Sequence, residues 1–467
     1  MAPSPKAVSS GRTLFTIFAS LLIDILAFTI ILPLYPRILA NYQQTDGHDE
    51  TTLYYHFQSY IRQFRVLIGG TGTHLDIVLI GGALGSMFSF LQFVSSPWIG
   101  SLSDKYGRKT ILLLSMIGNG LSMLLWIFSK SFSVFVLSRI IGGLTEGNVQ
   151  MSIAMISDVT TPETRSRGLA LVGIAFSLGF TIGPPLGAYF TSLDLAKIFP
   201  WIQALPINQY STPALFAFVL IVIESAYMYL ALPETLHFKA QDESGADSQP
   251  PESSSKAEPA PGTQDTSQLD VASTRKRLLT LGLVHFLFLF FFSGMEFTLT
   301  FLTHDRFHFS HANQGKLLGY MGILSALIQG GYVRRVTHKY ISERTLVLQG
   351  IAACAVGLFL VASWATTVSR LYIGVTFLAF TSGTVVTSLT ALAASFSGGS
   401  RGKILGEFRS MGQLGRSLGP IFACSVFWII GSERCYWIGA AAMVLVVLLV
   451  VVAVPKQTLP SLKQKSQ

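Results

Sequence analysis

A succession of long apolar runs, each about the length of a membrane span, constrains the fold of this chain more than any other feature. A bilayer core of about 30 Å needs about 20 helical residues to cross it. By that measure the 467 residues contain twelve candidate spans. They lie near 13–36, 77–99, 110–128, 132–156, 167–191, 212–233, 278–302, 312–333, 345–363, 369–393, 403–429 and 434–454. The sequence therefore predicts an all-α membrane protein with twelve transmembrane helices.

The composition excludes several other classes of protein. Half of the residues are hydrophobic and only 12% are charged, which is too apolar for a soluble protein of this length. The net charge is +9, but the basic residues stand in short clusters at the ends of apolar runs, which argues against nucleic acid as a partner. The three cysteines show neither a disulfide framework nor metal-ligand spacing, so we expect no bound metal.

The positions of lysine and arginine predict the orientation. Most of them occur in the N-terminal segment, in the connections from even to odd spans, in the central linker and in the tail. Cytoplasmic loops carry an excess of positive charge in membrane proteins. We therefore expect both termini to be cytoplasmic. The plasma membrane is the default location, with an internal membrane as the alternative.

Two segments between the spans differ from the rest. Residues 239–274 are rich in Glu, Asp, Ser, Pro and Gln and cannot bury a core. In the outer loop 37–76, apolar residues recur at helical spacing from Leu53 to Ile68, which predicts an interfacial helix, with a flexible loop as the alternative. The predicted domains are a first six-helix bundle at 1–236, a disordered cytoplasmic linker at 237–277, a second six-helix bundle at 278–456 and a cytoplasmic tail at 457–467.

The connection after the second span, residues 100–109, carries the most specific motif. Gly100 and Gly107 permit close approach and a reversal of the backbone, and Asp104 can cap the next helix. Arg108 and Lys109 favour the cytoplasmic face. The pattern resembles the loop between the second and third helices of transporters of the major facilitator superfamily, and this implies a role in conformational gating. An ordinary positively charged turn is the alternative.

The two halves of the chain repeat this organisation. Residues 330–335 follow the eighth span as residues 100–109 follow the second, although the aspartate and the Gly-Arg-Lys ending are missing. Equivalent offsets in equivalent spans indicate a duplication, and so two pseudo-symmetric bundles that rock around a central path, as in the major facilitator fold. The repeated glycine-proline segments are Gly179–Gly187, with Gly179, Gly183, Pro184 and Gly187, in the fifth span and Gly415–Pro420 in the eleventh. The first resembles the superfamily's antiporter motif and implies gating, with a plain packing seam as the alternative.

Asp24 is an acidic residue about half-way along the first span. An ionisable group at that depth costs about 2.5–3.5 kcal/mol to insert, so it needs a reason to be there. The stretch from Asp24 to Pro36, with Pro33 between them, resembles the opening helix of the drug:proton antiporter group, which includes the tetracycline exporters. The resemblance implies that Asp24 carries a proton. A carboxylate that a neighbouring helix neutralises for structure alone is the alternative.

The fourth span contributes Arg139 and, seven residues on, Glu146. In one continuous helix they would lie two turns apart on the same face and could both point into a central cavity. They are candidates to connect Asp24 with that cavity, although Arg139 could equally pair the fourth helix with the first. For Asn148, ordinary helix packing is the default expectation.

The second half contributes Arg416, Glu296 and Gln329 as candidate substrate-binding residues. Counted from Lys403 at 1.5 Å per residue, Arg416 lies about 20 Å into the eleventh span, where a guanidinium needs an anionic partner. That partner is either a substrate anion or an acid of the protein such as Glu296, Glu224 or Asp24. Glu407 could pair with Arg409, or with another helix, near the inner end.

No nucleotide-binding loop, paired catalytic carboxylates or nucleophile triad is present, so we expect a gradient-driven transporter rather than an enzyme, with no cofactor. Several stretches, among them 22–29 and 292–304, resemble the tetracycline-transporter-like group of vertebrates. That resemblance implies proton-linked antiport of amphipathic organic anions or drugs across the lipid bilayer. The alternatives are a facilitator or symporter of an endogenous metabolite, and a non-transporting scaffold for a partner membrane protein.

Overall fold

The computed structural model describes residues 10–31, 34–69, 74–191, 210–236, 263–309, 311–336, 341–396 and 401–454. Within these ranges the regular structure is helical, because an apolar run in a bilayer can satisfy its backbone hydrogen bonds internally only as a helix. The predicted fold class is thus confirmed as all-helical. Pro33, the first nine residues and the predicted tail from 457 onward lie outside the described ranges.

The first half of the chain, residues 10–236, begins with a long helix, two shorter helices and the helix that carries the loop motif. Its elements are α1 (Ser10–Thr29), α2 (Tyr35–Thr45), α3 (Leu53–Leu67), α4 (His74–Tyr106), α5 (Arg108–Ile127), α6 (Phe132–Thr145), α7 (Asn148–Val159), α8 (Pro162–Thr191) and α9 (Ser211–Ala231).

The second half, residues 263–454, has a similar succession of long helices. They are α10 (Thr263–Phe307), α11 (His311–Leu327), α12 (Glu343–Ser363), α13 (Val368–Ser395), α14 (Arg401–Ile430) and α15 (Ser432–Ala453). A π-helix, Ile328–Val333, continues α11. We call the side on which α1 begins and α15 ends the terminus side.

Ten helices of the described residues are long and apolar enough to cross a membrane. They correspond to all the predicted spans except the fourth and the eighth. The fourth is divided into α6 and α7 by residues 146–147, and the eighth runs through α11 into the π-helix. The helices α6, α7 and α11 are each too short to count as a span by length.

The predicted linker at 237–277 lies partly outside the described residues, which resume at 263. The helix α10 begins at Thr263 and so extends into the stretch expected to be disordered. The bounds of the linker stay a prediction. Helix propagation is easier than nucleation, so the strongly apolar run that follows can extend its helix into a polar segment.

The helix predicted in the outer loop is present as α3. Thr52 caps its first turn, and its Arg65 forms an ion pair with Asp76 of α4 at 3.1 Å. Ile61 and Phe64 pack against a cluster of buried apolar residues that contains Leu79 of α4 together with residues of the second half, and Ile61 also packs against apolar residues of the first half. The helix thus covers part of the apolar core on the side opposite the terminus side. Its placement at the membrane surface stays a prediction.

Candidate functional site

Asp24 of α1 is buried, with 5% of its surface exposed. Its Oδ1 accepts a hydrogen bond of 2.6 Å from Nδ2 of Asn148, the first residue of α7. The default expectation that Asn148 serves ordinary helix packing is therefore incomplete, because this amide orients the buried carboxyl group. A polar side chain in an apolar span was the only signal in the sequence that pointed to Asn148.

Glu146 lies in a break between two helices. The helix α6 ends at Thr145, and Glu146 has a ψ of 88°, which is not helical. The Oε2 atom of Glu146 accepts a hydrogen bond of 3.1 Å from Asn119 of α5. The expectation that Arg139 and Glu146 share one face of a continuous helix is wrong, because Gly147 packs directly against Ser115 and the chain turns there.

Arg139 nevertheless lines the same cavity as Asp24 and Glu146. Its guanidinium donates to Ser122 Oγ at 3.3 Å and lies over the rings of Trp126 and Phe135, at 5.4 and 5.7 Å from their centroids. Cation–π contacts of this kind hold a guanidinium in an apolar setting. The cavity is narrow, with room for about one water molecule.

Arg409 of α14 joins this cluster from the second half of the chain. Its charge interacts with both Asp24 and Glu146. The buried Nε of Arg409 has no hydrogen-bond partner among the described residues, so the guanidinium is not locked to either acid. Glu407 is exposed, and no described contact pairs it with Arg409, whose charge acts on acids of the first half.

Arg416 lies two helical turns farther along α14, where its charge acts on that of Arg409. On this helix Gly406 packs against Ser96 of α4, whereas Gly419 packs against α10. Arg409 and Arg416 are seven residues apart, so they share the face between these two contacts. They therefore line the region where α4 of the first half meets α10 of the second.

Glu296 of α10 is the acid whose charge interacts with Arg416. Both side chains are exposed although each belongs to the inner part of a long helix, which indicates that they face an opening rather than the packed core. Among the acids expected as partners of Arg416, the structure thus selects Glu296 as the neighbour. A guanidinium beside one carboxylate leaves donors available for a second anion.

Gln329, the third predicted substrate-binding residue, lies in a different place. It belongs to the π-helix and is buried against Gly173 of α8. Its Oε1 atom has no hydrogen-bond partner among the described residues. No described contact brings it together with Arg416, so a role in binding stays a prediction.

The motif loop ties the two halves together on the terminus side. Asp104 accepts hydrogen bonds from the backbone N–H groups of Gly402 and Lys403, at 3.0 and 2.7 Å, and so caps α14. The expectation that Asp104 caps the next helix, α5, is wrong. That role falls to Glu234, which accepts from the N–H groups of Arg108 and Lys109 at 2.9 and 3.1 Å.

Arg108 is completely buried in the protein. It forms ion pairs with Asp104 at 2.8 Å and with Asp158 of α7 at 2.9 Å. Arg401 of α14 approaches Asp158 at 3.4 Å. The network thus extends across both halves, whereas Lys109 donates to the carbonyl group of Tyr229 on α9.

The glycines of the loop have separate structural roles. Gly100 packs against the backbone of Gly402, so a side chain at either position would push α4 away from α14. Gly107 has a φ of +98°, a conformation that other residues adopt only with strain. Together they allow the loop to bring Asp104 and Arg108 against the second half.

The glycine-proline segments form a pair of equivalent seams. Along α8, Gly179, Gly183 and Gly187 pack directly against α1, where Thr29 Oγ1 donates to the carbonyl group of Gly179 at 3.0 Å. The helix continues through Pro184 and Pro185. In the second half, the equivalent glycines of α14 pack against α10, as described above for Gly419. The first seam supports the helix that carries Asp24.

Comparisons with known proteins agree with this architecture. The Major Facilitator Superfamily model matches residues 17–420. Major facilitator superfamily domain-containing protein 10 of Mus musculus is 38% identical over 451 residues, which cover 95% of this chain and 93% of that protein. The class B tetracycline resistance protein of Escherichia coli is 33% identical over 114 residues, 24% of this chain and 28% of that protein.

A solved structure is similar over nearly the whole chain. The crystal structure of the human organic anion transporter MFSD10 (TETRAN) superimposes with a TM-score of 0.78 and 32% sequence identity, and covers 96% of this chain and 100% of that one. The family resemblance stated from the sequence is thereby confirmed. This chain is a member of the major facilitator superfamily, and so a transporter rather than an enzyme.

Proposed function

We propose that the chain is a secondary active transporter that moves amphipathic organic anions or drugs by alternating access, coupled to protons through Asp24. The observation that carries the proposal is the meeting of Asp24 and Glu146 of the first half with Arg409 of the second. Charges from the two halves change their mutual distance when the halves rock, so binding at this place can bias the access state. Arg139 and Glu146 connect Asp24 with the cavity.

The proposed architecture behind this function is twelve spans in two bundles, with α6–α7 as the fourth span and α11 with its π-helix as the eighth. Both termini are cytoplasmic in this proposal, and the plasma membrane is the default location.

The motif loop and the α1–α8 seam serve as gating elements, because they lie where helices of the two access states must separate or bend. The α4–α14 contact at Gly100 supports this role.

The proposed anion site is the exposed pair Arg416 and Glu296, with Arg409 on the same face of α14. A guanidinium offers planar, charge-assisted hydrogen bonds to carboxylate or sulfonate groups. Partly buried Phe290 and Phe291 of α10, with exposed Phe422 of α14, form an aromatic cluster on the same two helices. This combination fits an amphipathic anion, and organic anion transport is what the similar human structure is described for.

Antiport is the coupling we propose first, in keeping with the resemblance to the tetracycline-resistance proteins. An anion that leaves while a proton enters moves positive charge inward in both steps, so the exchange is electrogenic. Symport is the second candidate, and the position of Arg409 favours it. A proton that neutralises Asp24 or Glu146 would release Arg409 for a substrate anion, and an anion with one proton crosses without net charge.

Flux measurements in liposomes test both couplings. The purified protein is reconstituted, a labelled organic anion is followed under imposed pH gradients, and a trapped dye reports internal pH. Opposite movement of anion and proton, with a dependence on membrane potential, supports antiport, and joint movement without that dependence supports symport. Flux that ignores the gradient indicates a facilitator, and no flux with a broad panel of anions indicates a scaffold.

The anion site has its own test in the same assay. The Arg416→Gln variant is expected to raise the KM for the anion about tenfold or more, since a charge-assisted hydrogen bond contributes about 1.5–3 kcal/mol. The matched control is Arg334→Gln, which removes an exposed charge beyond the π-helix. An unchanged KM in the Arg416 variant would contradict the assignment.

A further inference from the structure

Glu224 of α9 is a buried acid near Asp24 and Glu146, although it does not line the cavity that they share. Only 1% of its surface is exposed. Its Oε1 accepts a hydrogen bond of 2.6 Å from Ser20 Oγ. Ser20 lies on α1 one turn before Asp24, so this hydroxyl group and the Asp24 carboxyl group share a face of the helix.

The second carboxyl oxygen of Glu224 is unsatisfied. The buried Oε2 atom has no hydrogen-bond partner among the described residues. A buried carboxylate needs a cation or several donors to offset its loss of hydration. Glu224 has one described donor, which occupies Oε1, so Oε2 is the atom on which a proton can reside.

The charged groups that face Glu224 come from several elements. The helix α9 packs against α1, α5 and α8. Asp24 of α1 and Glu146 from the break after α6 both act on Glu224 as negative charges. From α5, Lys109 contacts the α9 backbone at Tyr229, five residues farther along the helix. No described contact places a charged group of α8 at Glu224.

We propose that Glu224 is a second proton-carrying residue of the transporter, which gains and loses its proton in response to the charge on Asp24. Two acids that repel each other cannot both ionise easily, so the ionisation of one favours the protonation of the other, and the pair takes up its protons in two steps. Ser20 donates to Glu224 and lies one turn before Asp24 on α1, which couples the two positions. The pair then holds two protons in one access state and releases both in the other.

This inference rests on the proposed proton coupling and is tested by counting protons. Labelled anion flux and dye-reported proton flux are measured together in liposomes for wild type and Glu224→Gln. Glutamine has the shape of a protonated glutamate, so a purely structural, permanently neutral Glu224 tolerates the change. We expect transport to continue in the variant with the proton-to-anion ratio reduced by about half, and with a less steep dependence of rate on pH.

Three outcomes separate the possibilities. An unchanged proton-to-anion ratio and pH profile in Glu224→Gln would overturn the role of Glu224 and leave the proposed function intact. Wild-type flux without proton movement would instead overturn the proposed function itself.

Should Glu224→Gln yield no folded protein, Ser20→Ala is used, which keeps the acid but removes its described donor. The proposal then predicts a shifted pH midpoint with unchanged maximal flux, and an unshifted midpoint contradicts it.

Discussion

The connection after α4 and its counterpart after the π-helix occupy equivalent places in the two halves, but their charged side chains make different contacts. In the first half, Asp104 and Arg108 reach across to α14 and to Asp158, and Arg108 is completely buried. In the second half, Arg334 and Arg335 at the same place are exposed. Among the described residues, the buried ion network thus belongs to the connection after α4 and not to its counterpart.

The comparison shows that two similar halves need not repeat the same contacts between them. The second half contributes several backbone groups to the terminus-side contact, namely the N–H groups at the start of α14 and the carbonyl group of Ala394, which accepts from Arg165 at 3.2 Å. Its Arg401 side chain also approaches Asp158. Because only proline removes a backbone N–H donor and no substitution removes a carbonyl group, the side chains of the first half are the main determinant of how tightly this side closes.

The largest effect is expected from Arg108→Ala, with Arg335→Ala as its matched partner in the other half. Removing Arg108 leaves Asp158 and Asp104 without their shared buried cation, which costs about 3–5 kcal/mol in the free energy of unfolding. Removing the exposed Arg335 is expected to change it by less than about 0.5 kcal/mol. Chemical denaturation in detergent measures both, and equal effects would contradict the asymmetry between the loops.

A smaller effect is expected from Asp104→Ala, which removes the cap of α14 and costs about 1–2 kcal/mol of closed-state stability. The measurement is the labelling rate of a cysteine placed at Ser157, which is fully buried behind this contact. The three native cysteines are buried and provide the background. Faster labelling in the Asp104 variant is the predicted result.

The control for this labelling experiment is Ser166→Ala, which loses a single hydrogen bond of 2.6 Å to Glu343 on another contact between the halves. It should accelerate labelling of Ser157→Cys much less. If both variants open the site equally, the terminus side is closed by many equivalent contacts, and the loop has no special role.

A further pair of variants, with an intermediate expected effect, compares the start of the third span of each half, α5 in the first and α12 in the second. In the first half, Glu234 accepts from the N–H groups that begin α5, whereas in the second half Arg344 donates to the carbonyl groups of Val454 and Val451 at the end of α15. Glu234→Gln and Arg344→Gln are each expected to lower the free energy of unfolding by about 1 kcal/mol. Denaturation curves measure this, and a change in only one variant would show that the two connections are not equivalent.

The smallest effect is expected from Ser342→Ala. Ser342 Oγ accepts from the N–H group of Thr345 at 3.3 Å and caps α12. Losing this cap should cost about 0.5–1 kcal/mol, because the hydrogen bond is long and lies at an exposed position. The thermal midpoint is the simplest readout, and a shift as large as that of Arg108→Ala would contradict the ranking.

Much of the architecture could be predicted because it depends on local properties of the chain. The length of the apolar runs predicted the long helices, and the spacing of small residues predicted where α8 packs closely. The position of Asp24 within a span predicted a buried acid. Each of these inferences uses only residues that are near one another in the sequence.

Contacts between residues that are far apart in the sequence could not be predicted in the same way. Asp104 caps α14, which lies about 300 residues away in sequence, rather than the adjacent helix. Arg409 faces acids of the other half instead of its neighbour Glu407. The break at residues 146–147 depends on the packing of Gly147 against Ser115. Tertiary contacts set all three, and a single sequence carries no record of them.

Proton coupling at Asp24 is the central claim, and one comparison tests it most directly. Wild type and Asp24→Asn are reconstituted in liposomes, and accumulation of a labelled organic anion is followed with and without an imposed pH gradient. The account predicts that the gradient changes accumulation in wild type and has no effect in the variant, while anion exchange without a gradient survives. Gradient-driven accumulation that is equal in both proteins would contradict it.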